Sequence, residues 1–186
     1  MTKLYALCDV DTIRKSGSNF AAFVARAASL GAEVLQYRNK HGDIATIKAD
    51  LIALRKVWDG FLIINDHYEL SGFCDGVHIG QEDLYAIDPD PSRAITILKM
   101  AIGEDKIIGL STHNAHEIEI ANTLEINYVG LGAYRSTSTK SDAKVLGESL
   151  DAIAAHSKHP VAAIGGVKLD DIFHHVSYKV IGSGLL

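Results

Sequence analysis

Short apolar runs alternate along the chain with stretches in which apolar residues recur at helical spacing. The clearest helical stretch is residues 20–30, where Phe20, Phe23, Val24 and Ala27 fall on one face and Gly31 follows as a C-cap. Similar spacing predicts helices over residues 44–57, 92–102, 114–124, 150–155 and 169–176, with a short turn or helix over 68–73. The apolar runs predict strands over residues 4–9, 33–38, 61–66, 76–80, 107–111, 128–132, 160–166 and 179–183.

Strands that are apolar on both faces and joined by helices are typical of a parallel sheet covered by those helices. Eight such units favour a closed α/β barrel, the (β/α)8 or TIM barrel, over an open sheet. An open doubly wound sheet is the alternative, but the chain has no G-x-G-x-x-G signature. The chain is short for a barrel, since the third crossover is brief and no full final helix follows the eighth strand. We therefore predict a compact barrel that lacks a full final helix.

Composition narrows the class of protein without identifying its chemistry. The chain has 186 residues, 47% of them hydrophobic, and no linker, so we expect residues 1–186 to form a single domain. No apolar run approaches the roughly 18 residues of a membrane span, and the N-terminus does not resemble a signal peptide. The net charge of −5 argues against a nucleic-acid partner. The two cysteines, Cys8 and Cys74, form no C-x-x-C pair and suit a reducing cytoplasm.

Polar residues collect where the predicted strands end. In a barrel of this kind, chemistry takes place at the C-terminal ends of the strands and in the loops that follow them. The polar strand ends are residues 36–40, 65–66, 81–83, 111–113, 136–140, 165–166 and 182–184. Agreement among so many strand ends points to one site, although each segment alone is equally typical of a turn or a solvated loop.

The charges at these strand ends predict two anion sites. Arg38 and Lys40 lie two residues apart and can face the same side, and Lys140 adds a cation from another loop. Asp66 and Asp83 lie among these cations, and carboxylates beside a diphosphate usually hold Mg2+. The glycines that follow strands seven and eight are typical of a barrel phosphate site, where bare backbone approaches the anion.

Several strings of residues resemble the thiamine phosphate synthase family, in order and over nearly the whole chain. The most specific are the G-x-H-x-G-Q-E-D string over residues 76–83 and the T-x-T-K loop over residues 137–140. The remaining strings are residues 36–40, 64–66, 109–113, 128–132 and 164–167. The resemblance implies a transferase that displaces diphosphate from a pyrimidine with the nitrogen of a thiazole phosphate, producing thiamine phosphate.

The resemblance also implies a role for each matching residue. Gln36 would hydrogen-bond the pyrimidine, and Asp66 and Asp83 would ligate Mg2+. The diphosphate would be held by Arg38, Lys40, Asn65, Ser111 and Lys140, of which Arg38, Lys40, Ser111 and Lys140 are the expected catalytic residues. The thiazole phosphate would be held by Thr137, Ser138 and Thr139 and by the backbone of Gly166, Gly182 and Ser183.

Two features depart from the family pattern. Members usually have Pro after the glycine of strand six, where this chain has Ala133, and Arg135 is expected to place an extra cation near the site. The absence of a final helix would leave barrel wall uncovered, so we expect a partner subunit, in a homo-oligomer, to cover it.

Three other functions remain open from the sequence. A thiazole tautomerase shares this type of barrel, but it typically lacks the metal carboxylates and carries a His where Ala133 stands, and His113 would have to transfer the proton. A barrel that only binds thiamine precursors would keep the same residues. A zinc protein could use the pairs His113/His116 and His156/His159 or the adjacent His174 and His175, although no further ligand lies nearby in sequence.

Overall fold

The computed structural model describes residues 2–136 and 145–186, and its eight parallel strands close into a barrel in chain order. The last strand pairs with the first, so the sheet has no free edge. The strands are β1 (Lys3–Asp9), β2 (Val34–Arg38), β3 (Phe61–Asn65), β4 (Gly76–Ile79), β5 (Ile107–Thr112), β6 (Tyr128–Leu131), β7 (Val161–Ala163) and β8 (Tyr178–Ile181). The predicted (β/α)8 barrel is confirmed.

Helices connect the strands on the outside of the barrel. They are α1 (Val10–Ser16), α2 (Phe20–Ser29), α3 (Ile44–Arg55), α4 (Gln81–Ile87), α5 (Pro91–Ile102), α6 (Ala115–Ala121) and α7 (Ser149–Ala154). Two short 3-10 helices cover Tyr68–Phe73, in the brief third crossover, and Ser183–Leu185, after β8. No helix in the described ranges has the length and apolar character needed to cross a membrane.

The apolar stripes of the helices pack against the outer face of the barrel, which explains the helical spacing in the sequence. Phe23, Val24 and Ala27 of α2 are buried there, as are Ile47 and Leu51 of α3. Most of the stability of such helices comes from burying this face rather than from helix propensity, at roughly 25 cal/mol per Å2 of apolar surface.

The inward-facing residues form a second, smaller core inside the barrel. Its apolar members are Tyr5, Leu7, Val34, Ile63, Tyr128, Ala162 and Val180. The strand pairing sets Gln36 between Leu7 and Ile63, and beyond this level the residues that line the interior are largely polar. This change of polarity marks the end of the barrel where the cavity lies.

The helix predicted over residues 169–176 is wrong. The connection from β7 to β8 is irregular there, and carboxylates take the place of helical hydrogen bonds. Asp171 accepts the backbone N–H of Lys168 at 2.8 Å, and Asp151 accepts those of His174 and His175. The helical spacing misled because Ile172 is 84% exposed and does not belong to a buried face.

Candidate active site

A cavity of about 730 Å3 opens at the C-terminal ends of the strands. Every site residue that was predicted from sequence and lies within the described ranges lines this cavity. These residues are Gln36, Arg38, Lys40, Asn65, Asp66, Asp83, Ser111, Gly166, Gly182 and Ser183. The predicted residues Thr137, Ser138, Thr139 and Lys140 lie outside the described residues. The barrel thus brings together side chains from strand ends that are far apart in sequence.

Arg38 is fixed at the cavity by Asp9, the last residue of β1. Asp9 is also the N-cap of α1, where its Oδ1 accepts the backbone N–H of Thr12 at 2.9 Å and the Thr12 hydroxyl at 2.7 Å. Its Oδ2 accepts from Arg38 Nη1, and both side chains are largely buried. Burial raises the pKa of Asp9, but the bonds from Thr12 and Arg38 outweigh burial, so the net pKa is lowered.

Asp66 and Asp83 approach the cavity from two neighbouring crossovers. Asp66 follows β3 in the left-handed region, with φ of 67°, and its Oδ2 accepts from Asn65 Nδ2 at 2.5 Å. Asp83 lies in the first turn of α4. Burial, followed by the charge of Asp83, raises the pKa of Asp66. Two carboxylates that repel each other across a polar cavity are an arrangement that a divalent cation relieves.

The donor set suits a magnesium ion that shares its ligands with a substrate. The described residues contain no cluster of three or more His, Cys, Asp or Glu side chains able to hold a metal alone. Mg2+ is usually bound by one or two carboxylates, with phosphate oxygens and water completing its octahedron. Asp66 and Asp83 therefore fit Mg2+ bound together with a diphosphate.

Ser111 lies on the floor of the cavity, at the end of β5. Its Oγ is 2.9 Å from Nε2 of His78 on β4, and its backbone carbonyl accepts from Gln81 Nε2 at 2.6 Å. Gln36 enters from β2, where it is only 3% exposed, and its Nε2 donates to the Tyr5 hydroxyl at 2.7 Å. Ser111 and Gln36 are thus held by partners inside the barrel.

In the described residues, glycine backbone forms much of the opposite wall of the cavity. After β7, Gly165 and Gly166 adopt φ of 88° and 66°, which residues with a side chain rarely adopt. Arg135 supports this turn, since its backbone N–H donates to the Gly165 carbonyl at 2.8 Å and its Nη1 donates to the Gly166 carbonyl at 2.9 Å.

The expectation that Arg135 adds a cation to the site needs correction. Its guanidinium forms a two-point contact with the Asp171 carboxylate, at 2.6 and 2.7 Å, and lies 4.3 Å from the centre of the Tyr134 ring. The described residues that line the cavity do not include Arg135. Because Arg135 does not line the cavity and binds both carbonyls of the glycine turn, it acts as a support for that turn.

Sequence reasoning missed several residues that hold the site in place. Asp9 shares the signal that marks the others, a polar residue at a strand end, but nothing in the sequence indicates its contact with Arg38. Asp171 carries no signal, because its contact with Arg135 depends on how two distant loops fold. Tyr5 and Tyr128 are also unmarked, because an aromatic residue within an apolar run usually indicates core packing alone.

His113, the residue that a tautomerase would need, also lines the cavity. Its Nδ1 lies 2.9 Å from Oε2 of Glu117, and the same carboxylate oxygen accepts its backbone N–H. His113 is therefore held against the start of α6, and position 133 is an alanine whose side chain is buried.

Comparisons with known proteins agree with the fold and identify the family. Residues 4–182 match the family model described as thiamine monophosphate synthase. The thiamine-phosphate synthase of Persephonella marina is 35% identical over 170 residues, which cover 88% of this chain and 76% of the relative. The corresponding protein of Lawsonia intracellularis is 32% identical over 176 residues, which cover 91% of this chain and 76% of the relative.

Two solved structures give the same fold. The thiamine phosphate pyrophosphorylase from Pyrococcus furiosus superposes with a TM-score of 0.78 at 27% identity, covering 98% of this chain and 87% of that one. The tryptophan synthase alpha subunit from Legionella pneumophila superposes with a TM-score of 0.59 at 12% identity, covering 98% and 81%, and supports the barrel alone. With the family model matched from β1 to the end of β8, the chain belongs to the thiamine monophosphate synthase family.

Proposed function

We propose that the chain is a thiamine phosphate synthase. It would join 4-amino-2-methyl-5-hydroxymethylpyrimidine diphosphate to 4-methyl-5-(2-phosphoethyl)thiazole, releasing thiamine phosphate and diphosphate. The observation that carries this proposal is the two-sided cavity: cationic and carboxylate side chains line one wall, and glycine backbone lines the other. Family membership and the named relatives support the same reaction.

The side-chain wall suits the departure of diphosphate. The bond between the exocyclic carbon and the diphosphate oxygen breaks first, which leaves a cation on the pyrimidine and an additional negative charge on the leaving group. Arg38, fixed by Asp9, and Lys40 provide positive charge where that negative charge develops, and Asn65 and Ser111 provide neutral donors. Groups fixed before the reaction stabilise developing charge without reorganising, which is a large source of rate enhancement.

Mg2+ is the cofactor that the donor set suits. Asp66 and Asp83 would hold it, and it would supply electrostatic stabilisation of the diphosphate when bound. Asn65 orients one of these carboxylates, because its Nδ2 donates to Asp66 Oδ2 at 2.5 Å.

The backbone wall suits the phosphate of the thiazole. The Gly165–Gly166 turn and the Gly182–Ser183 segment allow an anion to approach bare backbone. Arg135 engages both carbonyl oxygens of the glycine turn, which keeps these acceptors away from the anion. With its phosphate held there, the thiazole would present its ring nitrogen, whose lone pair forms the new bond to the pyrimidine carbon without a general base.

The test is product analysis with the purified protein. The pyrimidine diphosphate and thiazole phosphate are mixed with and without Mg2+, and thiamine phosphate is followed by its fluorescence after oxidation to thiochrome. We expect Mg2+-dependent product. Conversion of a carboxylated thiazole precursor to the aromatic thiazole, with no thiamine phosphate, would instead identify a tautomerase, and binding of both substrates without conversion would identify a binding barrel.

We propose one barrel domain acting on small molecules in the cytoplasm, with neither nucleic acid nor membrane as a partner. Leu169 and the 84% exposed Ile172, in the connection between β7 and β8, provide apolar surface for a second copy. Light scattering at micromolar concentration should then give a mass above that of a monomer, and a monomer would contradict the homo-oligomer.

A further inference from the structure

A continuous chain of hydrogen bonds crosses the inside of the barrel beneath the cavity. Gln36 Nε2 lies 2.7 Å from the Tyr5 hydroxyl, which lies 2.8 Å from the Tyr128 hydroxyl. The Tyr128 hydroxyl lies 3.0 Å from Nδ1 of His78, whose Nε2 lies 2.9 Å from Ser111 Oγ. Tyr5, Tyr128 and His78, here called the interior relay, therefore connect two residues that line the cavity from different strands.

The backbone around the interior relay is shaped to admit its rings. The Tyr128 ring fills the space that a β-carbon on Gly109 would need. A β-carbon on Gly130 would lie 3.0 Å from Cε1 of His78. The His78 and Tyr128 rings stack with centroids 5.5 Å apart. All three side chains are at most 7% exposed, so their polar atoms must be satisfied inside the barrel.

Counting protons leaves only two directions for this chain. Burial raises the pKa of Tyr5 and of Tyr128, so each keeps one proton and donates one hydrogen bond. A neutral imidazole donates from one nitrogen and accepts at the other. With His78 neutral, the bonds therefore all run from Gln36 towards Ser111 or all run the opposite way. Reversing one bond would either set two like groups face to face or leave a buried hydroxyl proton with no acceptor in this chain, which is costly.

A diphosphate bound at Ser111 selects one of these directions. An anion only accepts, so the Ser111 hydroxyl donates to it, and Ser111 Oγ accepts from Nε2–H of His78. Tyr128 then donates to His78 Nδ1, Tyr5 donates to Tyr128, and the Gln36 amide donates to Tyr5. The nitrogen of Gln36 facing Tyr5 agrees with this direction. With its N–H turned towards Tyr5, the Gln36 amide is left to offer its carbonyl oxygen to a ligand.

We propose that the interior relay fixes the direction of hydrogen bonding at both of its ends. Gln36 then presents an acceptor to the amino group of an aminopyrimidine, while Ser111 presents a donor to the diphosphate of the same substrate. Tyr5, Tyr128 and His78 are positioning residues, and the proposal rests on the proposed synthase function. The consequence is selection for the 4-amino ring over the 4-oxo ring, whose donor and acceptor pattern along that edge is reversed.

The test compares the binding of two ligands by calorimetry with Mg2+ and without the thiazole. The ligands are the 4-amino and the 4-oxo forms of the pyrimidine diphosphate. The wild-type protein should prefer the 4-amino ligand by a factor on the order of 10 to 100, since opposed acceptors in a buried site are costly. Tyr5→Phe removes the group that holds the Gln36 amide, so the preference should fall to within a few-fold, mainly because the 4-oxo ligand binds more tightly.

Tyr178→Phe is the matched control. Tyr178 packs edge-on against Tyr5 with ring centroids 6.3 Å apart, and the substitution likewise removes one hydroxyl from the aromatic cluster. It should keep the wild-type ratio. Tyr128→Phe breaks the same chain at its next bond and should relax the ratio as Tyr5→Phe does, which provides a second variant should either protein fail to fold.

The outcomes separate this proposal from the proposed function. If Tyr5→Phe and Tyr128→Phe weaken both ligands equally and keep the wild-type ratio, the hydroxyls serve packing alone and the interior relay is overturned, although the wild type still makes thiamine phosphate. If the wild type neither binds the 4-amino ligand nor forms thiamine phosphate, the proposed function itself has failed and the relay proposal fails with it.

Discussion

The two walls of the cavity are built by different means. The wall formed by β1 to β5 is made of side chains held by other side chains, such as Arg38 by Asp9 and Asp66 by Asn65. The described part of the wall after β6 to β8 is dominated by backbone, with Gly165 and Gly166 in left-handed conformations and Gly182 beside them. Arg135, a cation that supports this wall, is matched by Asp171.

This difference corresponds to two kinds of anion. A leaving diphosphate gains negative charge as the reaction proceeds, and fixed side-chain charges with a metal stabilise that change. A phosphate that is held only for positioning keeps its charge throughout the reaction, and backbone N–H groups are sufficient to bind it. Each of the following substitutions tests whether one wall holds the changing charge and the other holds the constant charge.

The largest effect should come from Asp83→Asn in the side-chain wall. The substitution keeps the size of the side chain but removes one of the two negative charges that the metal would neutralise. We expect kcat to fall by at least about a thousandfold, because metal stabilisation of the leaving group is worth several kcal/mol. The thiochrome assay measures the rate as a function of Mg2+ concentration.

Asp59→Asn is the control for this substitution. Asp59 is an exposed carboxylate before β3, at the opposite end of the barrel, and its loss should leave the rate unchanged. A near wild-type rate for Asp83→Asn at saturating Mg2+ would remove Asp83 from the metal site and weaken the contrast between the walls.

Lys140→Ala tests which of the two anions Lys140 binds. Lys140 follows β6 in sequence but is predicted to contact the diphosphate, so its effect should fall on kcat. We expect a loss of about 2–4 kcal/mol of transition-state stabilisation, or roughly 30- to 1000-fold, by analogy with the loss of an oxyanion donor. Single-turnover rates at saturating substrates measure it, with Lys158→Ala as the surface control. An effect confined to KM for the thiazole phosphate would assign Lys140 to the phosphate site of the backbone wall.

The side-chain wall was largely predictable from sequence, and the reason is local. A charged residue such as Arg38 or Asp66 directly after an apolar run stands at a strand end in any barrel, so its position follows from the pattern alone. The supports were not predictable, because the partner of Arg135 lies 36 residues away across two irregular loops. The helix predicted over residues 169–176 failed for a related reason. The carboxylate of Asp151, from outside the segment, accepts the backbone N–H groups of His174 and His175, while Asp171 turns back to accept that of Lys168.

Gly166→Ala tests the backbone wall. Its φ of 66° is unfavourable for alanine, and the added carbon would lie 2.8 Å from Cβ of Arg135, so the turn must shift. We expect KM for the thiazole phosphate to rise by roughly tenfold or more, since a shift of about 1 Å in a positioning group is costly, while KM for the pyrimidine diphosphate changes little. Steady-state kinetics in each substrate measures the two constants.

Gly17→Ala separates this effect from backbone strain. Gly17 has a similar φ of 73° at the end of α1, but nothing lies within 4 Å of an added carbon. Gly17→Ala should lose about 1 kcal/mol of stability through backbone strain, and Gly166→Ala should lose more because of the contact with Arg135. Only Gly166→Ala should lose affinity for the thiazole phosphate. Equal kinetic constants in the two variants would show that the glycine turn does not contact substrate.

The smallest effect should come from Asp9→Asn, which loosens the support of Arg38 without removing a group from the cavity. We expect a loss of about 1–2 kcal/mol of stability at pH 7 and a fall of roughly tenfold in kcat/KM, because Arg38 loses a charged partner. The pKa of Asp9 is lowered in the folded protein, so its stabilising contribution is complete above the ordinary value of 3.8 and is lost as the pH falls through the lowered pKa. Urea unfolding should therefore separate the two proteins at pH 7 and bring them together in strong acid.

Asp43→Asn is the matched control, since Asp43 caps α3 through the N–H of Thr46 as Asp9 caps α1 through that of Thr12. If kcat/KM fell as much in Asp43→Asn as in Asp9→Asn, the loss would come from weakened helix capping, and the contact between Asp9 and Arg38 would not support the side-chain wall.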